Sequence, residues 1–274
     1  MSLPLLKTPI ALTIAGSDPS GGAGLQADLK TFSALGVYGA TVVTALTAQN
    51  TVRVRGVQPV PPDFIMLQAE TLAEDLEISA VKTGMLGDAV TVATVVGLLG
   101  KFNFGPVVVD PVMVATSGDV LLTADAVAAV RSLLIPLSSL ITPNLHEAAK
   151  LLGEALATSV EEMEQQAWRL QGLGARAVLV KGGHATGDMA VDVLVSAEGV
   201  SHHSAPRIDT KNTHGTGCTL SAAIVAELAK GETRLDAAVA RAKDYLAQAI
   251  DGGRFLAIGH GCGPVDHLHV FRRS

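Results

Sequence analysis

Apolar and polar positions along this chain switch repeatedly between a period of two and a period of 3.6, so strands and helices are expected in alternation. Residues 10–15 form a short apolar run, read as a first strand, and 25–35 carry a helical pattern closed by Gly36. Residues 38–46 are rich in β-branched side chains. From 51 to 57, Val52, Val54 and Val57 interleave with Arg53 and Arg55, the pattern of an edge strand with one wet face. Pro61-Pro62-Asp63 opens a helix to about 76, because proline suits the first helical turn. A strand at 78–83 and a helix at 88–99 follow, then Val107-Val108-Val109, a fully buried strand ending at Asp110. Downstream the pattern predicts a helix over 123–134, a strand over 140–142 and a helix from Asn144. Ser159-x-x-Glu162 reads as a capping box for a helix to 173. A strand at 177–181, an antiparallel pair at 191–195 and 200–205, and helices from Gly215 and Arg234 complete the chain.

Strands alternating with helices of this length imply βαβ units, hence an α/β fold: a mostly parallel sheet, helices on both faces and a small antiparallel edge. No linker, charge run or repeat interrupts the pattern, so residues 1–274 are expected to form one domain. In such sheets ligands bind beyond the carboxyl ends of the strands. Polar residues gather there: Ser17-Asp18, Gln49-Asn50, Lys82-Thr83, Asp110, Thr142 and Lys181, predicted to converge on one crevice.

Composition removes several function classes. With 48 % hydrophobic and 17 % charged residues the chain is globular, not disordered. A net charge of −6 leaves no basic footprint for nucleic acid, and 3 % aromatic residues offer few platforms for bases. Cys218 and Cys262 give no disulfide framework, as expected in a reducing compartment. The apolar run 89–100 is far short of the ~20 residues that cross a bilayer, and 10–15 is shorter than a signal-peptide core. A cytoplasmic protein without membrane or nucleic-acid partners is expected.

The most telling chemistry lies at 212–231, where Gly215-Thr216-Gly217 runs straight into a helix. A helix start carries unpaired N–H groups and a positive dipole end, and glycine lets backbone approach a ligand closely, which makes an anion site suited to phosphate. Cys218, in that first turn, is expected to ionise more readily than free cysteine. An anion cradle holding a proton acceptor points to phosphoryl transfer. A rival is dinucleotide binding at Gly22-x-Gly24-x-x-Ala27, but the second strand ends in Gln49-Asn50 with no carboxylate for the ribose. The Walker pattern is absent. His202, His203, His267 and His269 lack zinc spacing, and His214 is expected to shape the anion turn.

Taken together, AGSDPSGGAGLQADLKTF at 15–32, DPVMVATSGD at 110–119, TPNLHEA at 142–148, KGGH at 181–184 and NTHGTGCT at 212–219 resemble the hydroxymethylpyrimidine/phosphomethylpyrimidine kinases of thiamine biosynthesis. These enzymes belong to the ribokinase-like superfamily. The resemblance runs from about Ala11 to His267. It implies a ribokinase-like fold, a homodimer, and ATP- and Mg²⁺-dependent phosphorylation of an aminopyrimidine alcohol and then of its monophosphate. By the same resemblance, Gly215, Thr216 and Gly217 hold the transferring phosphate and Cys218 is the general base. Lys181 contacts ATP phosphates, Asn144 and Glu147 form the element that holds Mg²⁺ largely through water, and Gln49 reads the pyrimidine edge. Gly16, Asp28 and Met85 match further pocket positions, and Asp110 is expected to face Mg²⁺, a bound water or Lys181. Pyridoxal kinase is the alternative within the superfamily; a nucleotide-binding regulatory protein without turnover is the alternative outside enzymes.

Overall fold

The structure is a computed structural model that describes residues 7–115, 118–183 and 187–272. Thr116 and Ser117 of the second block and His184 of the fourth lie outside the described residues. One nine-stranded sheet runs in the order β3-β2-β1-β4-β5-β6-β7-β8-β9. Strands β1 (Ile10–Gly16), β2 (Tyr38–Gln49), β4 (Ala80–Thr83), β5 (Val107–Val109), β6 (Leu140–Ile141) and β7 (Val178–Val180) are mutually parallel. Antiparallel strands close both margins, β3 (Val54–Pro59) at one and β8 (Met189–Ser196) with β9 (Gly199–Pro206) at the other. The single small antiparallel edge expected from sequence is therefore two.

Strand alternation splits the core into two layers. Val107 and Val109 point to one face, with Leu12, Ile14, Val81 and Ile141. That face is covered by α2 (Pro62–Ala73), α3 (Ala89–Lys101), α4 (Ala124–Ala129), α5 (Leu145–Leu152) and α6 (Val160–Gln171). Val108 points the other way, with Ala80, Leu140 and Leu179, against α1 (Gly24–Ala34), α7 (Thr216–Ala229) and α8 (Leu235–Gly253). Helix α7 is apolar on all sides because it is wedged between the sheet, α1 and α8.

Three elements depart from expectation for local reasons. The helix expected over 123–134 stops at Ala129 and continues as a π turn, Val130–Leu134, and a 3₁₀ turn, Ile135–Leu137. Pro136 supplies no N–H there and cannot extend the α ladder. The edge strand begins at Val54 because Asn50 Oδ1 accepts from the N–H groups of Val52 (2.9 Å) and Arg53 (3.0 Å), turning the chain first. Both of its faces are exposed, not one. At α6, Ser159 Oγ accepts from Glu162 N–H at 3.2 Å, but the Glu162 carboxylate turns to the Thr158 N–H (2.6 Å) and hydroxyl (2.9 Å). The complete capping box is at α5, between Asn144 and Glu147.

The order β2-β1-β4 places the topological switch at β1, where successive connections leave in opposite directions. Below that point lies a fully buried ion pair. Lys82 Nζ on β4 stands 2.8 Å from both carboxylate oxygens of Asp28 on α1, and Thr13 Oγ1 donates to Asp28 at 2.7 Å. Burial works against the Lys82 charge, yet Asp28, with Cys218 and Asp110, outweighs it and holds its pKa above the usual lysine value. Removing one member strands the other charge. Lys82→Met is expected to cost about 3–5 kcal/mol in urea unfolding, and Asp28→Asn/Lys82→Met to recover most of it. Equal losses in the single and double variants would contradict the pairing.

Candidate active site

Every parallel strand ends on the same side of the sheet, and a crevice is expected at the switch strand β1, which pairs with β2 on one side and β4 on the other. Gly16 closes β1; a Cβ there would lie 2.3 Å from Met85 Cε, so the glycine makes room for the methionine beyond β4. Thr44 Oγ1 donates to the Met85 carbonyl at 2.8 Å and fixes the backbone below it. The structure thus brings Gly16 and Met85 together as a wall of the crevice. Gln49 is the half-buried last residue of β2, and its Oε1 accepts a long bond (3.3 Å) from Thr47. Thr47 in turn binds Ser17 through backbone N–H and hydroxyl, at 3.2 and 2.8 Å, tying the end of β2 to the first loop.

The glycine-rich loops after β1 and before α7 interlock. Gly215 has φ +80, and a Cβ on it would lie 1.9 Å from the Gly22 carbonyl oxygen. A Cβ on Gly22 would meet the His214 ring at 2.3 Å. His214 Nε2 stands 2.8 Å from Asp18 Oδ2, which also accepts from the Ala23 N–H at 2.8 Å. Burial opposes the Asp18 charge, but His214, Ser20 and the Ala23 N–H outweigh it and hold the carboxyl at about 2. His214 shapes the turn through this bond.

Under the α7 N-terminus sits a second charge cluster. Asp110, just past β5, is buried and receives Lys181 Nζ at 2.9 Å, Thr142 Oγ1 at 3.2 Å and Ser221 Oγ at 3.2 Å. Burial raises its pKa, but Lys181 and Lys82 bring it below the usual carboxylate range. Of the outcomes expected for Asp110, pairing with Lys181 is the one the geometry displays. Lys181 Nζ also lies 3.9 Å from Glu147 Oε2. Glu147 Oε2 accepts from the Asn144 N–H at 2.7 Å, and Asn144 Oδ1 accepts from the Glu147 N–H at 2.9 Å. Burial lifts Glu147 to about 7, against the pull of Lys181. Gly217 joins the cradle to this cluster: a Cβ there would lie 3.3 Å from Lys181 Nζ and 3.8 Å from Asp110 Oδ2.

Two sequence expectations change. The Cys218 thiol does not ionise easily in this structure. Burial pushes it up to about 11; Lys82 and the Gly24 N–H draw it down, while Asp28 and Asp110 push it further up. The helix-end effect expected from sequence is outweighed by desolvation of the half-buried Cys218, to which Asp28 and Asp110 add. Asp28 engages Lys82 and Thr13 in a fully buried position, so its carboxylate lies beneath the crevice. Lys82, Ser221 and Thr142 were not singled out for a role by sequence, although Lys82 and Thr142 were visible as polar strand ends. His202 and His203 pair with Glu164 (2.7 Å) and Asp236 (3.2 Å), and Cys262 is free.

The chain matches the model of the phosphomethylpyrimidine kinase family over residues 18–266. It is 53 % identical over 262 residues to the hydroxymethylpyrimidine/phosphomethylpyrimidine kinase of Rhizobium meliloti (strain 1021), covering 96 % of this chain and 98 % of the relative. Among solved structures, an ADP complex of Bacillus subtilis pyridoxal kinase superposes with a TM-score of 0.89 at 38 % identity, covering 98 % of this chain and 100 % of that one. The phosphomethylpyrimidine kinase from Clostridium difficile 630 superposes with a TM-score of 0.78 at 42 % identity, covering 88 % and 99 %. The fold is thus the ribokinase-like α/β architecture shared by both kinases, and by family match and relatives alike the chain belongs to the phosphomethylpyrimidine kinases.

Proposed function

We propose that this chain, acting as one kinase domain over 1–274, uses ATP to phosphorylate 4-amino-5-hydroxymethyl-2-methylpyrimidine and then its monophosphate, two steps of thiamine biosynthesis. The observation that carries it is the placement of Gly217 against both Lys181 and Asp110, which sets a helix-start anion cradle beside a cation fixed by a buried carboxylate. A relative at 53 % identity and others at 48–50 % bear the pyrimidine kinase name, which favours that substrate over pyridoxal despite the shared fold. A homodimer and a cytoplasmic setting accompany the family reading; among the described residues no helix is long and apolar enough to cross a membrane.

Phosphoryl transfer through a loose transition state asks the protein for positioning and charge stabilisation more than for covalent chemistry. The N–H groups of Gly215, Thr216 and Gly217 would receive the transferring phosphate, and Lys181, held by Asp110, its oxygens. The pyrimidine would lie along Gly16 and Met85, with Gln49 donating to a ring nitrogen and accepting from the exocyclic amino group. Glu147, with Asn144 holding its carboxylate, is an oxygen donor set suited to hydrated Mg²⁺. Lys181 pairs closely with Asp110 and stands 3.9 Å from Glu147, whose carboxyl is lifted to about 7, so a bound cation would favour the ionised form of Glu147. Bound there, the ion would screen phosphate charge.

In the first reaction the hydroxymethyl oxygen attacks the γ-phosphorus, the bond to ADP breaks, and the alcohol proton passes to the Cys218 sulfur. In the second, the acceptor is a phosphate oxygen already largely ionised, and no base is needed. Product analysis with ATP and a panel of the pyrimidine, its monophosphate, pyridoxal and ribose tests the assignment. Phosphorylation of the first two in preference to the others is expected; preference for pyridoxal would contradict it.

A thiol at about 11 is protonated at neutral pH, and only its thiolate accepts a proton. The kcat for the alcohol should therefore rise as pH increases through the alkaline range, while kcat for the monophosphate lacks that dependence. Cys218→Ala should lower the first kcat by roughly 10²–10⁴-fold, abolish its rise, and affect the second far less. Equal effects on both turnovers would remove the base role from Cys218.

A further inference from the structure

Lys181 is fixed from behind by a charge pair that takes no part in the chemistry described above. Asp192 on β8 and Lys243 on α8 are both buried, with Lys243 Nζ 2.6 Å from Asp192 Oδ2. The second carboxylate oxygen, Oδ1, accepts from the Gly182 N–H at 2.9 Å. Gly182 is the residue after Lys181 and is seated tightly on β8: a Cβ on it would lie 1.9 Å from the Val191 carbonyl oxygen. On its other side, the Lys181 N–H donates to the Pro143 carbonyl at 2.8 Å. The backbone of Lys181–Gly182 is thus held at two successive amides, one from the end of β6 and one from the Asp192–Lys243 pair.

A buried ion pair is poor at stabilising a fold, since desolvating both charges consumes most of their attraction and apolar side chains of similar volume often do as well. The pair accounts better for position. A carboxylate oxygen paired with a lysine binds an N–H more strongly than a neutral acceptor does. We propose that Asp192 and Lys243 are positioning residues for phosphoryl transfer: they fix the Gly182 amide so that Lys181 Nζ stays on Asp110, beside Gly217. This inference rests on the assignment of Lys181 to the ATP phosphates.

Three variants test it, with KM measured for ATP and for the pyrimidine, and with adenosine affinity as a probe that lacks phosphates. Asp192→Asn/Lys243→Met removes both charges but keeps an amide oxygen where Oδ1 stands. Asp192→Leu/Lys243→Met has nearly the same shape and no acceptor. The first, whose neutral amide oxygen holds the Gly182 N–H more weakly than the paired carboxylate, should raise the ATP KM only about threefold. The second should raise it about tenfold, the order expected for one lost hydrogen bond, with pyrimidine KM and adenosine affinity unchanged. Adding Asp192→Leu/Lys243→Met to Lys181→Met should raise the ATP KM no further, because both changes act through one ammonium. If the Leu-bearing protein does not fold, Asp192→Ala/Lys243→Met replaces it in both comparisons.

Equal ATP KM values in the Asn- and Leu-bearing proteins, or additive effects with Lys181→Met, would overturn the inference while leaving Lys181 in its role. An unchanged ATP KM in Lys181→Met alone would overturn that role and the inference with it.

Discussion

Asp110 is a carboxylate enclosed by protein, and such a charge is tolerated only where partners compensate it. That constraint organises the crevice. Lys181 reaches it from the end of β7, Thr142 from the end of β6 and Ser221 from the first turns of α7, so three separate elements are registered on one side chain. The salt bridge thereby ties the ends of β6 and β7 to the first turns of α7. In the proposed reaction it would hold a cation ready for phosphate, without relying on a flexible surface lysine.

The second frame is steric. Gly215 and Gly22 meet at a distance no side chain permits, and the Asp18–His214 bond locks the two loops in that contact. The start of α7 is therefore fixed against the first loop and, through Gly217, against Lys181. Cys218 stands half-buried in the first turn of α7 beside this contact, and desolvation raises its pKa. If its thiolate is the base proposed above, the first phosphorylation carries a requirement that the second does not.

Much of this was legible in sequence because it is local. Val107-Val108-Val109 followed by Asp110 reads directly as a buried strand with a polar end, and the glycine turn before α7 reads as an anion site. The helix start expected at Asn144 is where Asn144 and Glu147 form the reciprocal cap of α5. The features that escaped are long-range. Lys82 and Asp28 are 54 residues apart and His214 and Asp18 are 196 apart, distances over which no periodicity speaks. The raised Cys218 pKa is likewise not local: Asp28 and Asp110, which add to the effect of burial, are far from it in sequence.

The account's central claim is that one cradle serves both phosphorylations. Gly217→Val places side-chain atoms at the 3.3 Å approach to Lys181 Nζ, where the phosphate would sit, and kcat/KM for the pyrimidine and for its monophosphate can be measured in the same preparation. Loss of both activities, with adenosine still bound at parental affinity, is the predicted result. A variant that loses one activity and keeps the other would contradict the shared cradle.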